Sequence, residues 1–548
     1  MSCVATRSEG RRVTLLARAV ACCVVAALLG GCVQMWTPTT AAPSHAALAK
    51  PTGSISASLK LHLRSGQLII ATSWLEDTAD KVLRVVGSEY PVDRLSFAEV
   101  NRPVPLDSIV LVQASTYGRA YPSGLVTMAV WGTVAGVVSG ACLMDPKSCF
   151  GSCPTFYAGD DTSSILSEGF SASPLRTLEA RDVDHLYTAP SRPGPFTLRM
   201  RNEALETHAV RSVTLRIAPQ PAGGRVFHSP SDEFYPAVGM RAPFRCTSAT
   251  GSCTSEVAAL DAHEWRSTTD STDLASREVV ELTFDRPSRA GTDAPGSGGD
   301  RLGLILGARH TLVSTFLFYQ SLAFAGDEAA GEMMARLERG TVADQPPLFA
   351  ALRTLGTIDV LVSTDSVHWT DAGQLFEAGP LATDPQVIPL PTSLGDGPVH
   401  IRLSLAKGYW RLDHAALAHL GPRVEPIMLA PQAVTAEGPT VAGAGASAAL
   451  ADPGRHLVTG PGDTYRLTFE LPATLPPSSE RWEVFLESTG WYYEWMREEW
   501  RADRNAVSAA QLLYDPRAAF RTLAPAYKSR EADNERAFWT SRIRRTQP

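Results

Sequence analysis

The residues with the most chemistry to offer lie in a few short runs. Asn202-Glu203 and Glu206-Thr207-His208 bring two carboxylates, an amide, a hydroxyl and an imidazole together within residues 202–208. They interrupt two strand patterns, so some of them are expected to be buried, where each polar group needs a partner. Two readings stay open for Asn202, Glu203, Glu206 and His208: a polar bridge at a sheet junction, or a site for a small polar ligand. Arg181-Asp182-Val183-Asp184-His185 also combines carboxylates with a histidine. That spacing suits a solvated turn better than a calcium or catalytic site. His263-Glu264 lacks the second histidine of a zinc-protease helix. The chain contains no Gly-x-Ser-x-Gly nucleophile turn, no phosphate-binding glycine loop and no Gly-x-Gly-x-x-Gly. No catalytic residue and no cofactor is assigned, and the chain is read as leaning away from an enzyme.

The nine cysteines divide by position. Cys246 and Cys253 flank a Thr/Ser/Gly turn, CTSATGSC, and are expected to close a hairpin disulfide in an oxidising compartment. Cys149 and Cys153 are the second candidate pair, which leaves Cys142 over. These cysteines include no CxxC pair and have no histidine at ligand spacing, so no metal site is assigned. Trp369 and Trp410 are candidate sugar-stacking residues, because an indole face offers broad apolar contact beside polar edges. The tail is dense in aromatics (Trp482, Trp491, Tyr492, Tyr493, Trp495, Trp500). From Trp491 to Trp500 their near-helical spacing points to one face docked on the core rather than to a carbohydrate platform.

The elements that must position these residues begin with a leader. Arg7, Arg11, Arg12 and Arg18 precede an uncharged run, Val20–Leu29, followed by small residues, which is the order of a secretory signal peptide. The segment Leu29-Gly30-Gly31-Cys32 resembles the lipobox of bacterial lipoproteins. The resemblance implies that the Cys32 thiol receives diacylglycerol and that the new amino terminus is acylated. Several acyl chains, each worth roughly 0.8 kcal/mol per buried CH₂, make such a tether effectively permanent. Val33 stands where lipoproteins kept in the inner membrane carry Asp, so the resemblance implies the outer membrane. The chain carries a net charge of -7; loss of a leader with four Arg and one Glu leaves -10. A mildly acidic chain without a basic run argues against nucleic acid as a partner.

Beyond the leader the patterning is that of a mainly β, multidomain protein with β-sandwich modules, one Gly-rich apolar helix and a helical C-terminal segment. Residues 32–53 read as a flexible tether. Leu59, Leu61 and Leu63 alternate, Ser65-Gly66 makes a turn, and Leu68 and Ile70 resume the alternation in a small β domain at 54–118. The uncharged stretch 124–144 has the length of a membrane span, and Gly132, Gly136 and Gly140 line one helix face, suited to self-association. The competing reading is a buried helical hairpin. A β domain is expected at 149–287, a Pro/Gly/Ser linker at 288–300, a helical segment at 301–343 and a β-sandwich at 344–430. A loop at 431–463 and a strand with a helical tail at 464–548 complete the chain.

Two further resemblances bear on these segments. Ser363-Thr364-Asp365-Ser366-Val367-His368-Trp369 resembles the strand, S-x-D-G, W hairpin of galactose-binding-like jelly rolls, with Ser366 in place of the glycine. CFGSCPTFY (Cys149–Tyr157) and Asn202-Glu203-Ala204-Leu205-Glu206-Thr207 resemble the CPxxY and NExxET motifs of a group of exported bacterial proteins with no agreed activity. The expected function is a membrane-anchored envelope lipoprotein acting as a non-enzymatic binding or assembly component. Its expected partners are the bilayer, through Cys32, and an envelope protein or glycan. The alternatives are a carbohydrate-binding or carbohydrate-processing protein, and a hydrolase whose residues are scattered in sequence.

Overall fold

The computed structural model of the chain describes residues 33–41, 48, 56–91, 97–120, 153–161, 165–174, 176–189, 192–203, 206–287, 301–321, 323–324, 347–376, 379–395, 397–437, 445–476, 479, 481–494 and 505–540. The leader, Cys32, the stretch 124–144 with its three glycines, Cys142, Cys149, the residues 288–300, and Trp495 and Trp500 lie outside the described residues. The chain forms two compact units. Both are mainly β. Among the described residues no helix is long and apolar enough to cross a membrane.

The smaller unit is a six-stranded sheet with the order β1-β6-β2-β3-β4-β5. Its strands are β1 (Val33–Ala41), β2 (Ser56–Leu63), β3 (Leu68–Asp77), β4 (Val82–Tyr90), β5 (Ala98–Pro105) and β6 (Ile109–Ala120). Leu59 pairs with Ala71 and Leu61 with Ile69, and all four are buried. The inward set of β3 is therefore Ile69 and Ala71, not Leu68 and Ile70. The tight turn at residues 63–67 sets the register, and a shift of one residue exchanges the two faces of a strand. The tether expected at 32–53 is also corrected, because Val33–Ala41 pairs antiparallel along β6. Its Val and three Thr favour a strand. Pro38 is tolerated because β1 is at the sheet edge, where a missing donor costs no ladder bond.

The larger unit is two β-sandwiches, one inserted into the other. The outer sandwich begins with β7 (Thr155–Ala158), β8 (Ile165–Glu168), β9 (Ala180–His185), β10 (Gly194–Arg201) and β11 (Glu206–Pro219). The inserted sandwich supplies β12 (Gly224–His228), β13 (Phe234–Arg241), β14 (Arg245–Ser248), β15 (Gly251–Ser252), β16 (Trp265–Arg266), β17 (Arg277–Phe284) and β18 (Leu302–His310). It continues with β19 (Ile358–Ser363), β20 (Thr370–Leu375), β21 (Asp384–Pro389), β22 (Val399–Ala406) and β23 (Trp410–Leu420). The outer sandwich is then completed by β24 (Ile427–Leu429), β25 (Ala433–Glu437), β26 (Leu457–Thr459), β27 (Thr464–Leu471) and β28 (Trp482–Glu494).

In the outer sandwich, the sheet β25-β27-β10-β7-β8 faces the sheet β24-β11-β28-β9. Between them lie the alternating residues of β10 (Phe196, Leu198, Met200), β11 (Val213, Leu215, Ile217) and β27 (Leu467, Phe469, Leu471). Each such side chain contributes roughly 1.5–3 kcal/mol on burial. In the inserted sandwich, β12-β13-β23-β18-β21 faces β15-β14-β17-β22-β19-β20. Its core joins Val280, Leu282 and Phe284 to Ile401, Leu403 and Leu405. The helices α1 (Pro347–Leu355), α3 (Ala506–Tyr514) and α4 (Pro516–Thr540) also feed this core, through Leu348, Leu512, Phe520 and Tyr527. A short helix α2 (Ala446–Ala451) belongs to the outer sandwich.

This insertion revises the expected boundaries. The sandwiches meet at 219–224 and 420–427, and the expected boundary near 287–300 falls inside the inserted one. Residues 302–310, expected to be helical, form β18, buried along its whole length. A continuous apolar run buried on both faces carries no alternation to separate strand from helix. Helix follows at residues 313–321. The 431–463 loop contains β25, α2 and β26, and the tail tryptophans Trp482 and Trp491 sit on a strand, not a helix.

The turn from Ser363 to Trp369 is built by side-chain hydrogen bonds. The Ser363 hydroxyl accepts from the Asp365 and Ser366 amides, and Asp365 Oδ1 accepts from Val367 and His368. Ser366, in the place of glycine, has φ of 62°. A left-handed L-residue costs about 1–2 kcal/mol, which glycine partly recovers after its own entropy cost. Ser366→Gly is therefore expected to stabilise the chain by about 0.5–1 kcal/mol in urea unfolding. A loss of stability would show that the serine side chain carries the turn.

Candidate functional site

Three of the buried polar clusters in the described part of the larger unit lie at junctions of the fold, and the first contains the residues singled out at 202–208. It lies where β10 ends and β11 begins. Asn202, Glu203, Glu206 and His208 are all at most 2% exposed. The Asn202 amide donates to the Glu206 carbonyl at 3.0 Å and to the Thr459 carbonyl at 3.3 Å. Its backbone exchanges hydrogen bonds with Asp463 and Gly462. Tyr157 donates its hydroxyl proton to Glu203 at 2.8 Å, and Arg201 pairs with the same carboxylate at 3.0 Å. His208 Nε2 lies 2.7 Å from Glu206 Oε1. The four residues come together, with Tyr157 of the CPxxY segment among them. These contacts tie the strand junction to the segment 459–463.

The second cluster lies between the two sandwiches and was not foreseen. Residues 181–185, expected as a solvated turn, are most of the edge strand β9, with Asp184 and His185 buried. Asp384, at the start of β21, is the hub. Its Oδ1 accepts from the His185 backbone N–H at 2.9 Å, and its Oδ2 meets His228 Nε2 at 3.0 Å and Gln386 Nε2 at 2.8 Å. Within the outer sandwich His185 Nε2 lies 3.0 Å from Glu483, which Arg225 of the inserted sandwich engages across the interface at 2.9 Å. Ser167 donates to Asp184, and the Leu381 amide donates to Glu168.

Burial and neighbours set the protonation of this cluster. Burial pushes the Asp184 carboxyl well above the usual range, and the carboxylates of Asp182 and Asp384 push it further. Burial lowers His185 despite Glu483, so its imidazole is neutral and donates to that carboxylate. Burial would also lower His228, but Asp384 reverses this and holds it above the ordinary value. Burial opposes the charge on Asp384 and on Glu483. His228 outweighs it at Asp384, and His185 with Arg225 outweighs it at Glu483; both carboxyls are held low. Two ion pairs result, His228 with Asp384 and Arg225 with Glu483, and the neutral His185 donates to Glu483 beside them.

The third cluster fixes α4 to the inserted sandwich. Arg309 and Arg411 are both 2% exposed. Arg309 is paired with Glu264, and Arg411 is bidentate with Glu535 at 2.6 and 2.9 Å. Burial works against the Glu535 charge, but Arg411 and Arg309 hold its carboxyl down at about 2.

The remaining candidates are placed as follows. Cys246 and Cys253 form a disulfide in the β14–β15 hairpin, with both side chains buried. Cys153 is buried with its sulfur 3.8 Å from Glu168; Cys149 lies outside the described residues. Trp410 is fully buried against Tyr409 and His310, so it has no face for a sugar. Trp369 is half-buried, and the Arg402 guanidinium stacks on its ring at 4.0 Å. Among the described residues no group of three or more His, Cys, Asp or Glu is arranged to hold a metal ion. His228, Asp384 and Glu483 were invisible in sequence because each meets its partner from more than 150 residues away. The buried strand β9 was the one available signal.

No family model matches the chain, and no curated protein matches it.

Removing one partner of a buried ion pair costs about 3–5 kcal/mol. Glu535→Ala leaves Arg411 unpaired and is expected to lose that much in equilibrium unfolding. The Glu535 carboxyl is held below its ordinary value of 4.5, so its contribution is present above pH 4.5 and fades as pH falls toward 2. Wild-type stability is expected to fall over that window more steeply than that of the variant. Parallel profiles would refute the pairing. Tyr157→Phe is expected to cost about 1.5–3 kcal/mol through the lost bond to Glu203, read in the same assay.

Proposed function

We propose that the protein is a lipid-anchored component of the bacterial envelope that binds or organises other envelope molecules. The leader pattern and the lipobox-like Cys32 support the anchor. The observation that carries the reading is the register of β1 on β6, in which Val33 stands opposite Ala120. Cys32 precedes the first residue and Tyr121 follows the second. The strand ends that adjoin Cys32 and the segment leading to 124–144 in sequence are therefore neighbours at one end of one sheet. Two apolar attachments issuing side by side suit a single bilayer, and two signals anchor more firmly than one.

The binding part of the reading rests on how the larger unit uses its polar groups. The outward face of β10 and β27 carries Thr197, Arg199, Thr468 and Arg466 in paired rows, with Asp160 and Glu437 bridging the arginines. Such a flat, polar sheet face suits recognition of a large polar partner. The carbohydrate reading keeps Trp369 and loses Trp410, and its resemblance to galactose-binding-like sandwiches remains the argument for it. The CPxxY and NExxET resemblance supports an exported protein and supplies no activity.

Metabolic labelling with an alkyne fatty acid, followed by membrane fractionation, tests the anchor. The wild-type chain is expected to be labelled and to sediment with membranes. Cys32→Ala is expected to lose the label while the stretch 124–144 keeps it on the membrane. Removal of both is expected to release the body. A labelled Cys32→Ala protein, or an unlabelled wild type, would overturn the reading.

A further inference from the structure

We propose that the cluster centred on Asp384 is a pH-governed latch that holds the two sandwiches of the larger unit together over a middle range of pH and loosens to either side. The inserted sandwich is joined to the outer one by chain crossings at 219–224 and 420–427, and again between β28 and α3. Among the described residues the apolar contact between them includes the small group Val183, Ala218, Val226, Phe234 and Phe485, with Ile165 packed on Leu312 and Leu381 and Tyr187 packed beside Phe227. Beside it the contact is made by ionisable groups, so its strength depends on their protonation.

Every element packed against Asp384 contributes to that charge balance. β8 presents Glu168; β9 presents Asp182, Asp184 and His185; β28 presents Glu483; β12 presents Arg225 and His228. The turn after β12 adds Asp232, which is paired with Arg181 at the margin. β18 adds no charge opposite the hub, because Ala308 is the residue paired with Asp384. In the middle range Arg225 balances Glu483, His228 balances Asp384 and His185 is neutral, while burial and its anionic neighbours favour the neutral form of Asp184.

The signs on the two sides follow from linkage. Asp384, Glu483 and His185 have lowered values in the folded chain. Their contribution is present above the ordinary values of 3.8, 4.5 and 6.5, and is lost as pH falls below them. Acid leaves Arg225, His228 and His185 as buried cations without counter-charge. The His185 Nδ1 atom has no hydrogen-bond partner among the described residues, so the second proton would stand unsatisfied. Asp184 and His228 have raised values, so their contribution is complete in acid and is lost as pH rises through those values. Rising pH therefore removes the His228 charge from Asp384 and favours Asp184 and Asp384 as facing anions. Buried charge without a partner is costly, and the closed contact weakens at both limits.

The His185 amide reports the latch directly, because its proton is donated to Asp384. Hydrogen exchange of the full chain from acid to alkaline pH, corrected for intrinsic rates, is expected to give bell-shaped protection at residues 180–187 and 224–228. Strands β10 and β22, inside the two cores, are expected to stay flat over the same range. Each ionisation that is a pKa unit displaced corresponds to about tenfold in protection. Asp184→Asn removes the ionisation of a carboxyl that faces Asp384 and is expected to raise protection on the high-pH limb by about tenfold for each pKa unit by which burial displaces that carboxyl. Asp384→Asn is expected to lower protection at residues 180–187 throughout and to flatten the acid limb. Protection at β9 and β12 that tracks β10 and β22, or that ignores pH, would overturn the proposal in the wild-type chain alone. An Asp184→Asn profile identical to wild type would remove Asp184 from it.

Discussion

The antiparallel pairing of β11 with β28 is the interaction on which the larger unit depends. It joins residues 206–219 to 482–494, across about 260 residues of intervening chain. Those residues contain the entire inserted sandwich. Closing so long a loop costs only about 0.6 kcal/mol for each doubling of its length. Folding the insertion first brings its ends together at 219–224 and 420–427 and shortens the effective loop. The pairing also contains a register shift between Val210 and Ser212, next to Gly490. A Cβ at Gly490 would approach the Ala209 carbonyl and the Phe170 ring within 3 Å, so only glycine lets the strands meet there.

The three buried polar clusters sit where this topology creates joints. The 202–208 cluster lies at the switch from one sheet of the outer sandwich to the other. The Asp384 cluster lies between the sandwiches, and the Arg309–Arg411 cluster seats the last helix. At the 202–208 joint the backbone leaves its ladder, and side chains satisfy the polar groups there. Charged pairs are a costly way to do this, and they confer orientation more than strength. A misplaced strand would leave a buried carboxylate or guanidinium without its partner, and this penalises the wrong arrangement more than it rewards the right one.

At the other end of the chain the small unit would link the proposed anchoring to folding. β1 follows directly on Cys32 and is held along β6 by nine paired residues. A chain attached there would be tethered by a strand of the sheet rather than by a loose spacer. The position of the folded body would then follow from the pairing of two strands. That differs in kind from a long flexible linker, whose reach grows with the square root of its length.

Much of the β structure was legible in the alternation of residues such as Phe196-Leu198-Met200, Val213-Leu215-Ile217 and Leu467-Phe469-Leu471. A period of two places one face in the core whatever the partner strand is. The hairpin disulfide Cys246–Cys253 was legible because its partners are close in sequence. The strand β18 was not, because a run buried on both faces has no alternation, and the phase of β3 was set by a turn rather than by its own residues. The polar residues at 202–208 stood out because they break a strand pattern. Asp384, His228 and Glu483 break nothing visible, and no local pattern links them. Local sequence determined the strands that alternate and which of their faces are apolar. Only the tertiary structure decided which strands are neighbours, that one sandwich interrupts another, and which buried charges meet. Those contacts depend on chain closure over hundreds of residues, which no short-range periodicity encodes.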